Sequence, residues 1–150
     1  MLKGIDNRLS AEVLFVLRAM GHGDTLVICD TNFPADSIAR QTVYGDLLRM
    51  DNLTCAQAVK SILSVLPLDT FVDDFAGRME VVGAPDEIQP VQAEVQVEID
   101  AAEGRPRKMV SIERFDFYDR ANDAYAVIQT GERRFYGCFI LRKGVIPPES

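Results

Sequence analysis

Apolar residues recur along this chain in two rhythms, one belonging to helices and one to buried strands. Val13, Leu14, Leu17 and Met20 fall at helical spacing behind Ser10, a good N-cap, and Gly21 stops the run, which predicts a helix over residues 11–20. Residues 26–29 are a short unbroken apolar run, the pattern of a strand covered on both faces. It ends at Asp30, before a turn or loop over 31–35. A second strand is expected within 43–48, against the grain of Gly45 and Asp46. Cys55, Ala58, Val59, Ile62, Leu63 and Leu66 line one face of the clearest helix, closed by Pro67. Residues 79–82 read as a third strand and 90–102 as a helix with Val91, Val95 and Ile99 on one side. Strands over 109–112, 124–129 and 138–142 and a short helix over 115–122 complete the pattern. Roughly six strands with interspersed helices predict an α/β fold, a three-layer α/β/α sandwich around a mostly parallel sheet. The length, 150 residues, suits a single domain over 1–150.

Composition narrows the partners. The chain is 47% hydrophobic and 26% charged, with a net charge of −7 and a pI near 4.7. That acidity argues against nucleic-acid backbones and anionic membrane surfaces, and mildly against a polyanionic substrate. No apolar run reaches the ~18 residues of a membrane span, and the first residues lack the apolar core of a signal peptide. Cys29, Cys55 and Cys138 are far apart and form no Cys-x-x-Cys or Cys/His spacing. That spacing argues against a structural zinc site, and an odd thiol count suggests a reducing cytoplasm.

The candidate chemistry begins with His22, the only histidine, held in Gly21-His22-Gly23-Asp24 just ahead of the first strand. Its near-neutral proton exchange and flexible setting suit an acid–base group aimed into a pocket; a plain loop histidine has the same pattern. Asp24 is placed either to orient that imidazole or to form the turn. Asp30 stands at the carboxyl end of a strand, where α/β sheets bind ligands, and is suited equally to sugar-like hydroxyls and to capping the next turn. Arg114 opens the aromatic segment Arg114-Phe115-Asp116-Phe117-Tyr118-Asp119-Arg120 and offers a fork of donors for polar oxygens, or a surface charge. Asp116 and Arg120 have the spacing of a surface ion pair. Tyr136 brings a hydroxyl and Gly137 allows close backbone approach. No nucleophile elbow, P-loop or dinucleotide fingerprint occurs, and one histidine cannot build a multi-histidine metal centre.

Taken together, several short pieces give these clusters a common meaning. Met1-Leu2-Lys3, Met20-Gly21-His22-Gly23-Asp24, Asp30 with Phe33-Pro34-Ala35, Arg114-Phe115 with Phe117-Tyr118, Thr130-Gly131-Glu132-Arg133, Tyr136-Gly137 and Lys143-Gly144-Val145 stand in the order and spacing of one family. Over nearly its whole length the chain resembles the RbsD/FucU family of sugar mutarotases, and within it the L-fucose mutarotase branch. The ribose-pyranase branch usually has threonine at the Gly23 position and histidine at that of Arg114, and lacks the Arg-Phe-x-Phe-Tyr run.

The resemblance implies an isomerase that interconverts the α and β anomers of a reducing monosaccharide, L-fucose first among them. Ribose pyranose–furanose exchange and a non-catalytic sugar-binding module are the alternatives. It implies His22 as proton donor and Asp30, Arg114 and the Tyr136-Gly137-Cys138 segment as sugar contacts; Asp24 and Tyr118, from their places beside these residues, are candidates for support. Family members often carry asparagine where this chain has Cys138, whose thiol is a weaker partner. The resemblance further implies no cofactor and no metal, a cytoplasmic location, and a ring-shaped homo-oligomer, commonly a decamer, with sites near subunit contacts.

Overall fold

The computed structural model describes residues 1–149. In chain order its elements are α1 (Ala11–Ala19), β1 (Thr25–Cys29), α2 (Ala35–Ala39), β2 (Leu47–Met50), α3 (Cys55–Leu63), β3 (Ala76–Met79), α4 (Pro90–Glu103), β4 (Val110–Ile112), α5 (Arg114–Asn122), β5 (Ala126–Thr130) and β6 (Cys138–Arg142). The strands form one sheet in the order β2-β5-β1-β6-β3-β4. It is mostly parallel, as expected. Only β6 runs against its neighbours, antiparallel to both β1 and β3.

The unbroken apolar runs follow from burial on both faces. Leu26 and Ile28 of β1 point into one core with Val13 and Leu17 of α1, Val59 and Ile62 of α3, and Val95 and Ile99 of α4. Val27 and Cys29 point into the other, with Ile38 of α2 and Phe117 and Ala121 of α5. That is the three-layer packing an α/β chain needs to cover both sheet faces. Local signals hold at the helix starts: Ser10 Oγ accepts from Val13 N–H, and Thr54 with Gln57 forms a capping box at α3. Among the described residues no helix is long and apolar enough to cross a membrane.

Two strands sit elsewhere than their patterns predict. The second lies at Leu47–Met50 rather than within 43–48, because Gly45 turns the chain at φ 76° and donates to Thr42 Oγ1. The third lies at Ala76–Met79 rather than 79–82; Val82 is exposed, while Gly77 is chosen by contact, since a Cβ there would meet Ile112 Cδ1 at 2.3 Å. The strongest helix ends at Leu63, although Leu66 stays buried beyond it. The short α2 was not predicted at all: it starts after Pro34 with no side-chain cap, and the expected loop over 31–35 runs straight into it.

Candidate active site

The reversed direction of β6 builds the pocket. Asp30 follows the carboxyl end of β1, Met79 ends β3, and Arg114 starts α5; because β6 is antiparallel, its first residue, Cys138, and the preceding Tyr136 arrive at this same end. Asp30, Arg114, Tyr118, Tyr136 and Cys138 line one cavity of about 220 Å³, with Phe33, Met79, Val82 and Phe135 as apolar walls. That is smaller than the ~300–1,000 Å³ typical of drug-sized ligands and fits a small polar molecule with an apolar edge.

Asp30 meets both of its expected descriptions. Its Oδ1 accepts from Asn32 N–H at 2.9 Å and Phe33 N–H at 3.0 Å, capping the turn, while Oδ2 faces Gly137 N–H at 3.1 Å and the Cys138 thiol at 3.6 Å. Burial pushes its pKa above the usual 3.8, with these donors opposing the rise. Gly137 contributes from behind the wall: a Cβ there would stand 3.2 Å from Asp30 Cβ and 3.1 Å from Glu132 Cγ, so a larger residue would press on both acidic side chains. Burial likewise pushes the Cys138 thiol well above the ordinary range, leaving it a neutral, weak donor.

Tyr136 is the one described residue other than glycine at positive φ, 63°, a conformation kept only where surrounding contacts impose it. Those contacts are present. Its carbonyl accepts from Gln92 Nε2 at 3.2 Å, and its hydroxyl accepts from Val82 N–H at 3.2 Å, which leaves the phenolic hydrogen free to donate. Arg114 sits in the first turn of α5, whose N-cap Glu113 takes the Phe115 and Asp116 N–H groups. Its Nε donates to Tyr118 Oη at 3.3 Å, and the guanidinium lies 5.7 Å from the Phe115 and Tyr118 ring centres. Asp116 and Arg120 form the expected ion pair at 3.0 Å.

His22 lies at the other end of β1. The five residues of that strand alone span about 17 Å, so within one chain the imidazole is not brought to the Asp30 pocket. The Gly-His-Gly turn is built by Gly23 at φ 87°, whose N–H donates to the Lys143 carbonyl, and by Asp24 Oδ2, which accepts from Gly21 N–H at 2.7 Å. Asp24 therefore forms the turn and does not orient the ring. Asp69 does: its Oδ2 lies 3.2 Å from His22 Nε2, and the imidazole stands edge-on to Phe71 with 5.4 Å between ring centres.

Two site-building residues escaped the sequence pattern. Asp69 is a lone acid 47 residues from His22, in an irregular segment after Pro67, and nothing local marks it. Gln92 had a faint signal as the third residue of α4 after Gln89, a capping-box spacing, but its reach to Tyr136 is purely tertiary. A second cavity, of about 260 Å³, lies on the His22 side between Asp24 and Arg142, where Arg120 and Arg142 are both drawn to Asp74. Among the described residues no three His, Cys, Asp or Glu side chains converge as metal ligands.

Known proteins are similar to this chain in sequence and fold. The model of the RbsD / FucU transport protein family matches residues 3–146. Fucose mutarotase of Homo sapiens is 44% identical over 149 residues, covering 97% of this chain and 94% of its own length. Among solved structures, protein Atu2016 superposes with a TM-score of 0.96 at 66% identity, covering 98% of this chain and 97% of that one. The fucose mutarotase of Streptococcus pneumoniae in complex with L-fucose gives a TM-score of 0.86 at 35% identity, covering 97% and 100%.

Proposed function

This chain belongs to the RbsD / FucU transport protein family, and on that footing we propose that it is a mutarotase interconverting the α and β anomers of L-fucose. The observation that carries the reading is the joining of Asp30, Arg114 and Tyr136 around one monosaccharide-sized cavity. Relatives named fucose mutarotase, and a solved relative holding L-fucose, supply the sugar. Arg114, at a position where the resemblance gives the ribose branch a histidine, speaks against pyranose–furanose exchange on ribose.

In this reading Asp30 and Arg114 hold sugar hydroxyls and His22 handles the anomeric proton. His22 takes the proton from the anomeric hydroxyl, the C1–O5 electron pair moves onto O5, and O5 receives a proton from the Tyr136 hydroxyl or a water. Rotation about C1–C2 presents the other carbonyl face, and the same transfers run backwards to close the ring. Apart from proton transfers, only the C1–O5 bond breaks and re-forms, so no cofactor is called for. An acid–base group so placed contributes about 10²–10⁴-fold.

Because His22 and Asp30 stand at opposite ends of β1, the acting imidazole belongs to a neighbouring copy of the chain. Apolar surface supports such a head-to-tail contact: Phe71 and Val72 are exposed beside His22, and Val82, Phe115 and Phe135 around the pocket mouth. A heterologous contact of this kind closes into a ring when its rotation allows, in keeping with the ring-shaped homo-oligomers of the family. Three unpaired buried thiols fit a reducing, cytoplasmic setting.

Exchange NMR on L-fucose, with D-ribose for comparison, tests the assignment. His22→Ala and Asp30→Ala should each lose enzymatic anomer exchange, and co-refolding the two should restore it at about a quarter of the contacts, where an intact imidazole meets an intact pocket. Full exchange in His22→Ala would remove the histidine from the mechanism. Sugar binding without any acceleration by the unaltered protein would leave a binding module.

A further inference from the structure

We propose that Arg78 is a positioning residue for the sugar pocket: through the Pro85 carbonyl it holds the strap over residues 80–89, and the strap in turn holds Val82 against Tyr136. The inference rests on the reading that the cavity around Asp30, Arg114 and Tyr136 takes the sugar. The strap leaves β3 at Glu80, passes the rim of that cavity and enters α4 at Pro90. Val82 is the part that meets the site. Its side chain walls the cavity, and its N–H donates to Tyr136 Oη at 3.2 Å. Little within the strap fixes it there. Ala84 N–H donates to the Val81 carbonyl and Glu87 N–H to the Ala84 carbonyl, while residues 82, 83 and 85–88 are exposed.

The anchors come from the sheet. Arg78 of β3 and Ser111 of β4 are register partners on adjacent parallel strands, so their side chains leave the same face. Arg78 Nη2 donates to the Pro85 carbonyl at 3.0 Å, and Ser111 Oγ donates to Glu80 Oε2 at 2.7 Å. Val82 lies between the two held points. Arg78 is 4% exposed, and the Pro85 carbonyl is the one hydrogen-bond partner its side chain has among the described residues. Burial pulls its pKa below the ordinary value and the Glu80 and Asp86 carboxylates oppose that pull; the guanidinium stays charged. A buried cation with so few partners costs stability, and an apolar side chain would suit this strand better. What the guanidinium provides is the grip on Pro85.

Position and packing are separable by experiment. Arg78→Met keeps an unbranched apolar stem and removes the donor. Pro85 is exposed, so its carbonyl then finds water, and Tm should stay level or rise. In the full protein, hydrogen–deuterium exchange of the Val82, Ala84 and Glu87 amides should quicken about tenfold or more, the scale of one lost charge-assisted hydrogen bond. KM for L-fucose should rise about three- to tenfold with kcat changed less, since His22 is untouched. Arg78→Lys, which keeps a donor, should recover part of both effects. A Tm lowered by several degrees, or a variant that does not fold, makes Arg78 a core cation and overturns the proposal. Unchanged amide exchange in Arg78→Met overturns it as well, and so does quickened amide exchange with KM unchanged. No acceleration of fucose anomer exchange by the unaltered protein overturns the mutarotase reading instead, and amide exchange still decides the grip.

Discussion

Gln92 is fully buried, and its side-chain amide bonds only to backbone: Nε2 donates to the Met79 and Tyr136 carbonyls, and Oε1 accepts from Gln89 N–H. It thus ties the first turn of α4 to the end of β3 and to Tyr136, the one described residue other than glycine at positive φ. Gln92→Leu fills similar space but leaves these groups unpaired, at about 1–3 kcal/mol for such a loss. Thermal unfolding should register that loss, and KM for L-fucose should rise severalfold while kcat falls less, because Tyr136 is loosened and His22 is untouched. An unchanged KM would reduce Gln92 to a structural strut. At this scale the sequence was informative wherever a residue type carries chemistry by itself, as His22, Asp30, Arg114 and Tyr136 do. Asp69 and Gln92 were illegible because what they do depends on contacts across 47 and 44 positions of chain.

Elements whose signal is local were readable. The helices α1, α3 and α4 announce themselves by caps and apolar faces, and β1, β5 and β6 by two-sided burial. The displaced strands β2 and β3 are set by neighbours: Arg49 and Arg78 interrupt their apolar pattern, and pairing with β5 and β6 decides their register. Antiparallel β6, which brings Tyr136 and Cys138 to Asp30, has no signature in its own residues. The approach to it shows how tightly packed this end is. Gly131, just past β5, donates to the Leu53 carbonyl, and a Cβ on it would stand 1.9 Å from the Asp51 carbonyl oxygen. Gly131→Ala must therefore displace backbone, and chemical denaturation should show a loss of about 1–3 kcal/mol. A neutral result would mean that the loop has room to yield.

The whole molecule answers to pH through paired acids. Hydrogen bonds from Arg134 hold Glu94 and Glu132 below their usual 4.5, and Arg8 takes Asp6 down to about 2. Groups lowered in the folded state stabilise it fully above their unfolded values and lose that contribution as pH falls through the folded ones. Asp30 runs the opposite way: raised by burial, its contribution is present at low pH and lost as pH rises through its folded value. The lowered acids outnumber it, so Tm should decline steadily below about pH 4.5, and Glu132→Gln should flatten the curve while lowering its neutral plateau. A Tm that stays level down to pH 3 would contradict this balance. The cysteines at the pocket, Cys138 in its wall and Cys29 and Cys55 buried beside it, give the same molecule a built-in stopwatch. Cys29 faces Cys138 across the β1–β6 ladder, and Cys55 reaches the Gly137 carbonyl. Burial pushes Cys55 up to about 12 and the other two well above their ordinary range, so none reacts while the sheet end is shut. The rate at which an alkylating reagent consumes these thiols therefore counts how often the floor beneath Asp30 opens, and a bound sugar that holds the floor closed lengthens the interval between openings.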